Sequence, residues 1–155
     1  MATRMTTYNN EALAAVTLGY FISLHEEVVY TKLLLILPFI FHEQTARKLR
    51  GTSHKKSLDE FIIGNIDCMS DFNRRFQEFL PVCINAIILL SEMKVVTMKF
   101  DRVSFNRGQT NFNPSVTSSL VGKRAMALFT SLDNLTDILK SEDSIGTYLK
   151  LKIIL

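Results

Sequence analysis

Two histidine–glutamate pairs, His25-Glu26 and His42-Glu43, most invite a chemical reading of this chain. On a helix, a second histidine four residues after the first would complete a two-histidine zinc face, with the glutamate as general base. Val29 and Ala46 occupy those positions, so both pairs fail as metal sites. His54 likewise has no cysteine or carboxylate at ligand spacing. Gly122-Lys123-Arg124 has the look of the end of a phosphate loop. Thr117 stands where the first glycine of that loop is needed, and a polar segment replaces the strand that should precede it. Cys68 and Cys83 match no zinc or redox spacing and read as reduced thiols in a helical core. Neither a nucleophile elbow nor a dinucleotide fingerprint is present. The expectation is a chain without catalysis, cofactor or metal, although a triad converging from distant segments stays open, because such groups meet in space rather than in sequence.

One charge feature has a chemical meaning of its own. Arg47, Lys48, Arg50, Lys55 and Lys56 place five positive charges within ten residues that hold no acid. Such a run is either a solvated connection between two helices or a contact for phosphate backbone or an acidic partner face. Arg74, Arg75, Lys99, Arg102 and Arg107 extend that surface if the segment carrying the last three lies beside it. The net charge of +3 is too small to establish nucleic-acid binding.

The elements that must position these residues are mostly helical. Residues 1–8 read as a loose segment, and Asn9-Asn10 as the cap of a first helix with Leu13, Val16, Thr17, Tyr20, Phe21 and Leu24 on one face. Lys32 to Arg50 reads as a helix stopped by Gly51, with Pro38 either kinking it or sitting in the first turn of its second half. Ser57-Leu58-Asp59-Glu60 fits a capping box for a short helix ending near Gly64. A longer helix is expected over 66–91, with Phe72, Phe76, Phe79 and Leu80 inward, a break or bend at Pro81, and Ile84, Ile87, Ile88 and Leu90 continuing the apolar side. The period then changes. Residues 95–105 read as a β-hairpin turning at Asp101-Arg102, which after a helix looks like the wing of a winged-helix unit. A polar loop, 106–111, leads to Asn113-Pro114 and a last long helix over 117–140, with Leu120, Ala127, Leu128, Ser131, Leu135, Ile138 and Leu139 inward. A short helix over 144–150 and an extended segment over 151–155 follow.

With 155 residues, 47% hydrophobic and 21% charged, the chain reads as a single domain, 1–155, mainly α and winged-helix-like. Its mean hydropathy of +0.15 is high for a small soluble protein, which points to surplus apolar residues at an interface. The longest apolar run, Leu33 to Phe41, is nine residues. A bilayer helix needs about 20, so no membrane span is expected. Met1 to Met5 has no apolar stretch after it that would make a secretion signal, and a cytoplasmic chain is expected.

The order of features resembles a family, the middle component of bacterial ABC-three-component systems, including the small subunit of Lamassu-type anti-phage defence. The resemblance rests on Tyr8-Asn9-Asn10-Glu11-Ala12 opening the first helix. It rests also on Leu33-Leu34-Leu35-Ile36-Leu37-Pro38-Phe39-Ile40-Phe41-His42 running into Glu43-Gln44-Thr45-Ala46-Arg47. Phe79-Leu80-Pro81, the 95–105 hairpin, Val121-Gly122-Lys123-Arg124-Ala125 and Ser144 to Ile153 then follow in the family's order. Asn10 stands where relatives often have proline, and the hairpin lacks their glycine-rich turn. The resemblance implies a non-catalytic accessory subunit beside an SMC-like ABC ATPase and a separate effector, commonly a nuclease. Docking surfaces are then expected on Leu33–Arg50 and the hairpin, with the basic cluster touching double-stranded DNA or an acidic ATPase face. A free-standing winged-helix DNA-binding regulator is the competing reading. It would bind duplex DNA as a dimer, with affinity falling steeply as salt rises.

Overall fold

A helix that is apolar on nearly every side must be surrounded, and the first helix is. In the computed structural model, which describes residues 5–51, 57–108 and 123–155, helix α1 spans Met5–His25. Ala14, Ala15, Thr17, Leu18, Phe21 and Ile22 are all buried, because α1 packs against α7 (Phe72–Glu92) and also α8 (Lys123–Leu139). The buried surface is thus wider than the expected stripe, and Leu24 lies outside it, half exposed. The helix also begins at Met5 and not at an Asn9-Asn10 cap. Asparagine in a helix interior costs only about 0.7 kcal/mol relative to alanine, and no glycine or proline before it forces a start.

Lys32 to Arg50 is not one helix but parts of three. They are α2 (Tyr30–Leu33), α3 (Ile36–Ile40) and α4 (Glu43–Arg50). Pro38 sits in the first turn of α3, where its missing N–H is no loss. His42 then caps α4, its ring accepting from the Thr45 N–H. Ser57 caps α5 (Leu58–Gly64) as the sequence indicates, accepting from the Glu60 N–H at 3.2 Å. The following helix is also divided, into α6 (Ile66–Met69) and α7, which runs through Pro81 without a break. Pro81 lies on the exposed side of α7, where water can take the hydrogen bond that the ring forfeits. Ile87 and Leu90 are buried, but Ile88 faces outward.

Strands β2 (Val96–Lys99) and β3 (Arg102–Phe105) form the hairpin, turning at Phe100-Asp101, one residue earlier than expected. A third strand, β1 (Glu27–Val29), was not anticipated; it pairs antiparallel with β3 to give the order β1-β3-β2. Val28, Val96 and Val103 turn inward to the common core. After α8 comes α9 (Ser144–Lys150), capped by Asp143, whose side chain accepts from the Gly146 N–H. Buried Leu128, Ser131, Leu135, Ile138 and Leu139 of α8 agree with the reading of its inward face, and Ala127 is half-buried. Residues 109–122, with Asn113-Pro114, Thr117 and Leu120, lie outside the described residues, as do Lys55 and Lys56.

Candidate interaction surfaces

His25, His42 and the two cysteines do structural work. His25 Nδ1 meets the Phe21 carbonyl at 2.8 Å, closing the last turn of α1. The Cys68 and Cys83 thiols are buried and donate to the Asn65 and Leu33 carbonyls at 3.4 and 3.5 Å. Burial pushes the Cys83 thiol up to about 12, which removes it from thiolate chemistry. Among the described residues no group of histidine, cysteine and carboxylate side chains is placed to hold a metal. His54 and Gly122 lie outside the described residues.

The basic residues are dispersed. Arg47 and Lys48 are exposed on α4, and Arg47 and Arg50 both reach Glu43, at 3.6 and 3.3 Å. Arg102 pairs with Glu27 at 3.5 Å and Arg107 with Glu26 at 3.0 Å, on the sheet side of the molecule. α4 packs on α3, α6 and α8, whereas the sheet packs on α1 and α7, so the two groups belong to different parts of the molecule. Exposed pairs of this kind contribute at most about 1 kcal/mol each. Arg74 is likewise held, by Asp71 at 2.7 Å and Glu78 at 3.5 Å.

Arg75 is a correction to the sequence reading. It is not a surface cation but 3% exposed, at the meeting point of four helices. Its Nε donates to the Pro38 carbonyl at 3.2 Å and its Nη1 to the Cys68 carbonyl at 2.9 Å and to Asp71. Its Nη2 reaches Thr45 Oγ1 at 3.3 Å, and its guanidinium lies 5.3 Å from the centroid of the Phe72 ring. The broken helices explain these partners. In a continuous helix Pro38 O and Cys68 O would accept from residues 42 and 72; the ends of α3 and α6 free them for Arg75. Burial works against the arginine charge, and Asp71 supports it. Burial would raise the Asp71 carboxyl, but the Arg74 hydrogen bond and the Arg75 charge outweigh it and hold the carboxyl below its usual range. Pro38, His42 and Thr45, quoted above as part of the family's pattern, thus surround a buried cation.

The surface offers two apolar features instead. Ile145 and Leu149, one turn apart on α9, are about three-quarters exposed and share a groove of about 310 Å³ with Ile153 and exposed Leu155. The backbone of the terminal segment is fixed: the Ile154 N–H donates to Asn73 Oδ1 at 2.9 Å, and Gln77 Nε2 donates to the Ile154 carbonyl at 2.7 Å. Ile63 and Ile66 are also exposed, and line a separate groove of about 360 Å³ with Met69, Lys150 and Leu151. The second feature is the hairpin tip, where Phe100 is fully exposed with φ of +41°. A left-handed conformation costs a bulky residue about 1–2 kcal/mol. Placing the turn one residue late hid Phe100 as a strand residue in the sequence; the missing turn glycine was the signal that could have found it.

A family model described as ABC-three component (ABC-3C) system Middle Component 3 matches residues 8–140. The chain belongs to that family. No curated protein and no solved structure matches it. A middle component is an accessory subunit of a multi-subunit system, so this one has partner proteins. Among the described residues, no helix of the middle component is long and apolar enough to cross a membrane.

Proposed function

We propose that this middle component is the non-catalytic subunit that couples an SMC-like ABC ATPase to a nuclease-type effector in a Lamassu-type anti-phage defence system of the cytoplasm. The observation that carries this reading is the exposed apolar groove of about 310 Å³ lined by Ile145, Tyr148, Leu149, Ile153 and Leu155, whose terminal segment is held in place by polar clamps from α7. Contiguous exposed apolar side chains on a small domain mark a protein-binding site. The docking role expected for Leu33–Arg50 narrows to the outer face of α4, because Leu35 to Ile40 form the core. Arg47 and Lys48, exposed on that face, would meet an acidic ATPase surface or DNA phosphates.

The winged-helix DNA regulator has less support. The exposed side of α7, the helix before the wing, carries Glu78, Glu92, Ile88 and Leu89, and its cation Arg74 is paired with two carboxylates. That surface does not suit a phosphate backbone. The test is a pull-down of the tagged chain from its native host with mass spectrometry. Recovery of a large coiled-coil ATPase and a second protein in defined ratio supports the coupling role. Recovery of the chain by itself, as a dimer that shifts duplex DNA, overturns it in favour of the regulator.

A further inference from the structure

We propose that Phe100 is an anchor, inserted by the hairpin tip into an apolar pocket with a carboxylate rim on a partner subunit. The inference rests on the accessory-subunit reading and adds to it a residue and a partner chemistry.

Three observations converge on this residue. First, its backbone is strained. Phe100-Asp101 is a two-residue loop closed by the Lys99–Arg102 pair, with positive φ at Phe100 and not at Asp101. That is the pattern in which glycine is favoured at the first position. Second, the ring gains nothing at home: it is fully exposed and makes no aromatic or cation contact among the described residues. Strain and exposure at one residue, uncompensated inside the fold, point to a role outside it. Third, the tip is braced. The Tyr30 N–H donates to the Asp101 carbonyl at 2.7 Å, and Arg102 reaches Glu27 at 3.5 Å and Asp101 at 3.9 Å. A ring presented on a rigid two-strand support loses little freedom on binding, which is how aromatic anchors reach high affinity.

The local charge selects the partner. Arg102 is answered by Glu27 and Asp101, whereas Lys99 makes no ion pair among the described residues. The tip therefore offers an apolar ring beside one uncompensated ammonium, whose complement is a hydrophobic pocket with a carboxylate at its edge. A nucleic-acid wedge would need cations on both sides of the ring, and Asp101 occupies one of them.

The experiment co-expresses the tagged chain with the products of its neighbouring genes and compares it with Phe100→Gly, Phe100→Asn and Lys99→Glu. Glycine and asparagine both tolerate positive φ, so these variants should melt at or above the parent's temperature. Both should recover the partner about tenfold less well, and Lys99→Glu should also weaken recovery. If the parent recovers a partner and both Phe100 variants recover it equally, the anchor is overturned and the accessory reading stands. If the parent recovers none, the accessory reading fails and takes the anchor with it. If the variants keep the partner but lose retention on short duplex DNA, the tip contacts nucleic acid and the proposal is overturned.

Discussion

At the scale of single residues, Arg75 and His42 hold one network, and each has its own signature. His42 Nδ1 lies 2.8 Å from Thr45 Oγ1, and that oxygen accepts from Arg75. Replacing Arg75 with alanine strands the Pro38 and Cys68 carbonyls and removes the charge that Asp71 faces. We expect a loss of about 3–5 kcal/mol in urea denaturation. Arg74→Ala, which removes only exposed pairs, should cost under about 1 kcal/mol. Equal losses would show that Arg75 is no node. Burial, then the Arg75 charge, keeps the His42 imidazole below its ordinary value of 6.5. The folded ring therefore resists a proton that the unfolded chain accepts. The cap's contribution is complete above about pH 6.5 and is lost as pH falls through the folded value. Acid should therefore lower stability, and His42→Asn should keep the cap and abolish that decline. Urea midpoints measured downward from about pH 7.5 would check this; an unchanged decline in the variant would assign it elsewhere. Asp71, also held low, loses its contribution only below its ordinary 3.8, in a separate window. None of this was legible in the sequence. Arg75 beside Arg74 reads as surface charge, and only the carbonyls freed by two helix ends show why one of the pair turns inward.

At the scale of elements, sequence signals were reliable where they were local. The Ser57 cap, the helix over 144–150, the inward face of α8 and the hairpin rest on short-range chemistry, and the structure carries them. What failed needed the rest of the fold. β1 is three residues of Glu-Val-Val and becomes a strand only because β3 accepts it as a neighbour. The divisions at residues 34–35, 41–42 and 70–71 lack glycine and proline; packing and the demand of Arg75 for carbonyls place them. Pro81 is the opposite case, a strong breaker overruled because α7 is held on one side by α1 and α3. Pro81→Ala should therefore restore a hydrogen bond at a compatible site. Proline in a helix interior costs about 3 kcal/mol relative to alanine, and its stiffening of the unfolded chain returns up to about 1. A gain of about 1–2 kcal/mol in denaturation is expected. A loss would mean that α7 needs the bend.

At the scale of the whole molecule, the apolar surplus visible in the composition divides into a core and a remainder. The core takes Leu35 to Ile40, Phe61, Phe72 and Phe76, with α1 and α7 enclosing them. Part of the remainder lies on α9 and residues 153–155, and the two uses predict opposite responses to mutation. Burial of a leucine or isoleucine contributes about 1.5–3 kcal/mol, so a polar substitution in the core unfolds a domain of this size. Ile145→Asp with Leu149→Lys changes side chains that already face water, and should shift stability by no more than about 0.5 kcal/mol. The same pair, spaced i,i+4, can meet across the helix face and removes none of the Asp143, Asn73 or Gln77 hydrogen bonds that hold the segment. If the exposed apolar ridge that Ile145 and Leu149 form on α9 is where a partner subunit sits, the double variant should be more soluble by itself and recover that partner poorly from co-expression, with its melting temperature unchanged. A variant that assembles as the parent does would make the ridge a tolerated surface and move the partner to α4 and the hairpin. A variant that unfolds would show that the ridge belongs to the core.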